Sequence, residues 1–188
     1  GSLLTDYAAL FCKKVFCTSR FSYTAKYQMT VLMPVGVDTE LFKDVDSVAR
    51  APRSILFFGR FAPSKNPDVL LESLALLRDS GIPFTASFYG TPLPEDEQYK
   101  KKQIVRVQEL HLNELVRVYP GVAHNEAPAI FSRHEIYVNL SSSGMYDKTI
   151  FEAAASGCLV LTASKDFAER TLSDAVYASH DPKDVARK

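Results

Sequence analysis

Leu140-Ser-Ser-Ser-Gly144-Met145-Tyr146-Asp147-Lys148-Thr-Ile-Phe-Glu152-Ala-Ala-Ala-Ser-Gly157 reads as the end of a strand, a tight turn and a short helix. The apolar run before it, Ile136 to Leu140, reads as a strand buried on both faces. Three serines and a glycine form a turn, and Asp147 is placed to cap a helix over Lys148 to Ser156 that Gly157 closes. Ala153, Ala154 and Ala155 let that helix lie close against a sheet. A strand–turn–helix unit of this kind aims backbone N–H groups and the positive helix end at one spot, where a phosphate can bind.

A second junction of the same kind is Gly59-Arg60-Phe-Ala-Pro-Ser-Lys65, which follows Ile55 to Phe58. Apolar, β-branched and aromatic runs recur at Val15–Thr18, Thr30–Met33, Phe84–Tyr89, Leu115–Tyr119, Cys158–Leu161 and Ala175–Tyr177. Helical segments fall between them. Asn66-Pro67-Asp68 supplies an N-cap, a first-turn proline and an early acid, with Leu70, Leu71, Leu74 and Leu77 as the buried face and Gly81 as the stop. Pro94 to Leu112 and Asn125 to Arg133 predict two more helices, and Asp181 starts a short last one. The segment Ser19 to Gln28 is polar and reads as a loop. Pro34 to Phe42 reads as a turn and then a short helix capped by Asp38. The alternation predicts an α/β fold, a Rossmann-like three-layer domain with a mostly parallel sheet. Ligands of such sheets bind at the carboxyl ends of the strands, where both junctions lie.

Composition narrows the function. The 188 residues suffice for a real core, and 46% are apolar. A net charge of 0 gives no basis for a nucleic-acid surface. The run Lys100-Lys101-Lys102, preceded by Glu95, Asp96 and Glu97, reads as a solvated helix face. No apolar run is long enough to span a bilayer. Three cysteines, Cys12, Cys17 and Cys158, lack metal-ligand spacing and are expected as free thiols in a reducing, cytoplasmic setting. The four histidines, His111, His124, His134 and His180, lack metal spacing too. Only His124 falls near the predicted ligand, where a surface turn is the plainer role. Asp44-Val-Asp46 and Glu95-Asp-Glu97 read as solvated charges rather than metal ligands. No Gly-x-Gly-x-x-Gly follows any predicted strand, which disfavours a dinucleotide enzyme.

Four collinear stretches carry a resemblance: Pro34-Val-Gly-Val-Asp-Thr-Glu-Leu-Phe42, Phe58-Gly-Arg-Phe-Ala-Pro-Ser-Lys65, Tyr119-Pro-Gly-Val-Ala-His-Asn-Glu126 and Ser141 to Gly157. Together they resemble the C-terminal, donor-binding half of retaining glycosyltransferases with the GT-B fold, family four. The resemblance implies a nucleotide-diphosphate sugar (UDP- or GDP-sugar) as donor substrate and no cofactor; no metal is expected where two cations and a helix dipole neutralise the diphosphate. Gly1-Ser2 reads as a tag scar, residues 1–2; the rest is expected to divide into 3–50, an N-terminal extension and interdomain linker, and 51–188, a donor-binding domain read as truncated at its C-terminal end because the helix begun at Asp181 stops within about two turns. The resemblance further implies a missing N-terminal acceptor domain, and no membrane contact is indicated for this part. There is one departure. The family carries two glutamates with seven residues between them. Glu152 matches the second, which the family uses on the nucleotide ribose, whereas Gly144 stands at the first, which holds the donor sugar.

Each candidate has a plainer alternative. Arg60 and Lys65 are the candidate catalytic cations, since fixed positive charge stabilises a departing diphosphate. Otherwise they are surface cations of a loop. Glu152 can bridge vicinal ribose hydroxyls; otherwise it pairs with Lys148 one helical turn away, worth about 0.3 kcal/mol. Gly59, Gly144 and the amides of Met145, Tyr146 and Asp147 are candidates for phosphate or sugar hydroxyls, against an ordinary serine-rich turn. The expected activity is hexosyl transfer to an acceptor hydroxyl by a longer protein, with this chain inactive alone. The alternatives are a degenerate, non-catalytic nucleotide-sugar module and a GT-B type epimerase.

Overall fold

The computed structural model describes residues 1–33, 35–44, 49–144, 146–170 and 175–188. The expected strands all form. β1 (Val15–Cys17) and β2 (Thr30–Leu32) make a parallel pair of their own, with Val15 opposite Thr30. The main sheet holds β3 (Ala51–Phe58), β4 (Thr85–Tyr89), β5 (Val116–Tyr119), β6 (His134–Asn139), β7 (Leu159–Thr162) and β8 (Ala175–Tyr177). Its order is β5-β4-β3-β6-β7-β8, and every pair is parallel. The chain therefore builds outward from β3 in one direction and returns to build outward from β6 in the other. The reversal point lies between β3 and β6, where open α/β sheets place their ligand crevice.

Side chains alternate across the strands, and both faces are covered. On one face Ile55, Phe57, Phe88 and Val138 pack with Leu70, Leu71 and Leu74 of α2 (Pro67–Asp79), Val107 of α3 (Glu97–Glu109) and Val185 of α7 (Pro182–Arg187). On the other, Leu56, Tyr137 and Val160 pack with Phe131 of α4 (Ala127–Phe131), Ile150 and Ala153 of α5 (Lys148–Ala155) and Phe167 of α6 (Lys165–Arg170). This is the three-layer architecture the near-continuous apolar strands call for. Burying a leucine such as Leu74, fully inaccessible here, contributes about 2 kcal/mol.

The helices differ from expectation at their starts. Pro94–Asp96 and His124–Glu126 form 3-10 turns ahead of α3 and α4, because a proline or a tight turn sets the first residues before regular bonding begins. Asp38 caps a single turn and not a helix. Its carboxylate accepts from the amides of Glu40 (3.0 Å) and Leu41 (3.1 Å), and its carbonyl from Phe42 (2.8 Å). The buried ring of Phe42 fixes this turn against the α4 face. Within Ser19 to Gln28, Tyr23–Lys26 forms a 3-10 turn. α1 (Leu3–Ala9) has no counterpart in the sequence reading; it leaves Leu3, Leu4 and Tyr7 exposed, as are Leu10 and Phe11 just after it.

Candidate functional site

The β3–α2 junction is anchored before it turns. Gly59 donates its amide to the Tyr89 carbonyl (3.0 Å), continuing the β3–β4 ladder by one residue. Its own carbonyl lies so close to Gly90 that any Cβ at position 90 would collide with it. The sequence reading did not single out Gly90, because a close approach between two strand ends leaves no local pattern. Beyond Gly59, Arg60 is exposed and has no carboxylate partner among the described residues. Phe61 and Ala62 turn inward and are buried, and Pro63–Lys65 forms a 3-10 turn.

Asn66 occupies the N-cap of α2, but its side chain does not cap the helix. It sits in the left-handed region at φ 49°, which asparagine tolerates, and its Nδ2 donates to the Leu140 carbonyl at 2.7 Å. A helix start is thereby fastened to the end of β6. The first-turn proline, which lacks an N–H, reduces what a cap would have to satisfy.

The β6–α5 junction meets it there. Lys65 Nζ lies 2.5 Å from Asp147 Oδ2, with only 17% and 13% of the two side chains exposed. The same carboxylate oxygen accepts from Asn139 Nδ2 (2.8 Å) and faces Ser141 Oγ (3.3 Å). The other oxygen accepts from Thr149 Oγ1 (2.7 Å) and the Thr149 amide (3.4 Å), so Asp147 is the N-cap the sequence predicts. Burial pushes the Asp147 carboxyl up, but the Lys65 charge and the hydrogen bonds from Lys65, Asn139 and Thr149 outweigh it and hold it below the ordinary carboxylate range. Tyr137 supports this network from below. Its buried hydroxyl lies 2.6 Å from Thr149 Oγ1 and accepts from Asn139 Nδ2 at 3.0 Å.

Glu152 projects from the next turn of α5 and is only 3% exposed. Lys148 Nζ stands 3.4 Å from its Oε1, so the plain helix pair exists. It is not the whole environment, because His124 Nδ1 reaches the same oxygen at 4.0 Å from the β5–α4 loop. The His124 ring packs on Phe42, with centroids 5.1 Å apart. Three loops at the carboxyl edge of the sheet thus converge, after β3, β5 and β6.

Gly144 is held in place by residues far from it in sequence. Its amide donates to Asp166 Oδ2 (2.9 Å), its carbonyl accepts from Ser22 Oγ (2.6 Å), and its φ is +99°. Asp166, 4% exposed, also accepts from Ser19 Oγ at 2.5 Å. Ser143 Oγ accepts from the Lys165 amide at 2.9 Å. The serine turn is therefore clamped between α6 and the Ser19–Ser22 segment. Asp166 was missed in the sequence. Its available signal was an acid in the first turn of a helix directly after the strand ending at Thr162. Tyr146 stacks on Phe151 at 5.3 Å, and Met145 lies outside the described residues.

Elsewhere the contacts are simpler. Lys100 does not join a solvated face: its Nζ donates to the Gly90 carbonyl (2.7 Å) and lies over the Phe61 ring. Asp44 pairs with Arg50 at 2.5 Å and is not merely solvated, and Arg50 also donates to the Ser156 carbonyl (2.7 Å); Asp46 is outside the described residues. Cys12, Cys17 and Cys158 are free, and burial pushes the Cys158 thiol up to about 12. Among the described residues no group of three or more His, Cys, Asp or Glu side chains is placed to hold a metal, and no helix is long and apolar enough to cross a membrane. A cavity of about 330 Å³ between Ile55, Leu74, Leu159 and Val185 lies toward the amino ends of the strands, away from the junctions, and is not part of this site.

Comparison with known proteins agrees with this architecture. The glycosyl transferases group 1 family matches residues 38–188. The chain is 27% identical, over 186 residues, to a D-inositol 3-phosphate glycosyltransferase of Streptomyces scabiei, covering 88% of this chain and 41% of that protein. It is 24% identical to the GtfA subunit of the UDP-N-acetylglucosamine–peptide N-acetylglucosaminyltransferase of Streptococcus parasanguinis, covering 85% and 30%. In fold it is similar to Anabaena Alr3699/HepE, solved with UDP and glucose (TM-score 0.83, 20% identity, 97% of this chain and 54% of that one). It is likewise similar to the sucrose-phosphate synthase of Thermosynechococcus elongatus (TM-score 0.81, 20% identity, 98% and 50%). The chain spans about 40% of the first curated relative and about half of these structures. With a family match over most of its length and the six-stranded parallel sheet of GT-B enzymes, this chain belongs to the glycosyl transferases group 1 family.

Proposed function

We propose that this chain is the donor-binding half of a retaining glycosyltransferase that moves a hexose from a nucleotide-diphosphate sugar to an acceptor hydroxyl. The observation that carries the reading is the meeting of the two junctions at the switch point, with Lys65 against Asp147 at the start of α5; Arg60, exposed, lies in the same β3–α2 junction. Arg60 and Lys65 stabilise the diphosphate as the bond from the sugar's anomeric carbon to phosphate oxygen breaks. Gly59 and the loop from Gly144 to Asp147 line the phosphates and sugar. Glu152 holds the ribose hydroxyls, close enough to His124 for the β5–α4 loop to border the base. Retention follows if the acceptor attacks from the face the phosphate leaves. The acceptor's oxygen bonds to the anomeric carbon, and its proton passes to the departing phosphate oxygen.

The acceptor site belongs on a second domain across the crevice. The exposed apolar side chains of α1 suit a surface that such a domain covers. The three free thiols suit the cytoplasm. UDP, present in the Anabaena structure, is the first nucleotide to test, with GDP as the alternative.

The test is product stereochemistry. A longer protein carrying this chain, given UDP- or GDP-sugars, is expected to yield a product whose anomeric proton signals show the donor's configuration. An inverted product contradicts the mechanism, and robust transfer by this chain alone contradicts the two-domain reading. A second reading, a non-catalytic nucleotide-sugar module, is favoured by Gly144 and by the engagement of Lys65 with Asp147. Donor turnover excludes it, and recovery of an epimerised nucleotide-sugar in place of a transferred one identifies an epimerase.

A further inference from the structure

We infer that Asp147 is a built-in competitor for the ligand's phosphate, occupying on Lys65 and at the head of α5 the place that a nucleoside diphosphate must take. This rests on the donor-site reading above and adds to it what sets the affinity of the site.

Three observations converge. Lys65 is mostly buried, and its ammonium already has a carboxylate at 2.5 Å, so it is not a free cation awaiting an anion. The amide of Thr149, which the start of α5 would offer to an anion, is turned to the other oxygen of the same carboxylate at 3.4 Å. Asn139 and Ser141 face Asp147 Oδ2 as well, at 2.8 and 3.3 Å. One side chain thus gathers the cation and the neutral donors that two phosphate oxygens would otherwise share. A carboxylate and a phosphate competing for them in a partly buried site repel, and such like-charge contacts cost affinity. Arg60, exposed and outside this network, is left as the cation that a diphosphate meets without displacing anything.

The ligand class at this position is therefore an anionic diphosphate that binds by exchange. Its uncharged nucleoside has nothing to exchange and is indifferent to residue 147. Asp147→Asn and Asp147→Ser both keep a good N-cap while removing the charge, so two independent variants guard against misfolding, with circular dichroism and thermal melts as the check.

The experiment is calorimetric titration of wild type, Asp147→Asn and Asp147→Ser with UDP, GDP, uridine and guanosine at low salt. Glu152→Ala and Arg60→Ala serve as controls. The expected result is diphosphate binding about tenfold tighter in both folded Asp147 variants, with nucleoside affinity changed less than about twofold. Diphosphate binding that is unchanged or weaker in the Asp147 variants overturns the inference. If that binding is still lost in Glu152→Ala and Arg60→Ala, the donor-site reading stands without it. Absence of diphosphate binding in wild type and both Asp147 variants overturns both.

Discussion

Gly144 and Phe21 approach so closely that a Cβ placed on Gly144 would stand 2.8 Å from the Phe21 carbonyl oxygen. The two residues are 123 positions apart in sequence and meet because the Ser19–Ser22 segment lies over the serine turn. With φ at +99°, the position disfavours every L side chain twice, by conformation and by contact. A glutamate here, which the family resemblance leads one to expect, is thus disfavoured by the local backbone as well as absent from the sequence.

Gly144→Glu is accordingly expected to destabilise the fold by about 2 kcal/mol rather than restore a sugar contact. Denaturant unfolding of the variant beside wild type measures it. Unchanged stability would show that the turn and the Phe21 backbone separate easily.

Asp166 is expected to matter for the same turn. Asp166→Ala leaves the Gly144 amide and the Ser19 hydroxyl without their buried acceptor, at a cost of about 2 kcal/mol. Hydrogen exchange at the Gly144 amide should rise in step with the loss measured by unfolding. Exchange that stays slow would assign the protection to Ser22 and its neighbours instead.

Tyr137→Phe tests the floor of the site. The hydroxyl lies between Thr149 and Asn139, both partners of Asp147, and its removal should cost about 1 kcal/mol. Thermal unfolding gives the loss, and a variant as stable as wild type would show that Thr149 and Asn139 do not depend on it.

The Asp147 carboxyl titrates below its ordinary value of 3.8 in the folded chain, because Lys65 and the hydrogen bonds outweigh burial. A lowered folded value means the stabilisation is present above the unfolded value and is lost as pH falls through the folded one. Wild type should therefore lose more stability than Asp147→Asn as pH drops below about 4. Parallel pH–stability curves for the two proteins would contradict the pairing.

The strands and their parallel arrangement were legible because each is a short, nearly uniform apolar run, and Leu56 and Phe57 both being buried shows why no polar alternation was needed. Asp147 as a cap and Gly157 as a stop were local signals of the same kind. Gly157 has φ +81°, and the Cys158 amide bonds back to the Ala153 carbonyl at 3.0 Å. Long-range partnerships left no such trace. Asn66 looks like a cap in sequence, yet its amide spends itself on Leu140 across the crevice. Lys65 looks like a free cation, and only the folded chain places Asp147 against it. Asp166 gains its importance from Ser19, which lies 147 residues earlier.

The most direct test of the donor site is a thermal-shift comparison of the chain with UDP, GDP and ADP, beside Arg60→Ala and Glu152→Ala. A ligand at a hundredfold its dissociation constant adds about 2.7 kcal/mol, a shift on the order of 5–10 °C for a chain of this size. A donor site built on Arg60 and Glu152 should give a shift with one nucleotide, abolished in both variants. No shift with any of the three at millimolar concentration, or a shift that both variants retain, would contradict a nucleotide site at this edge of the sheet.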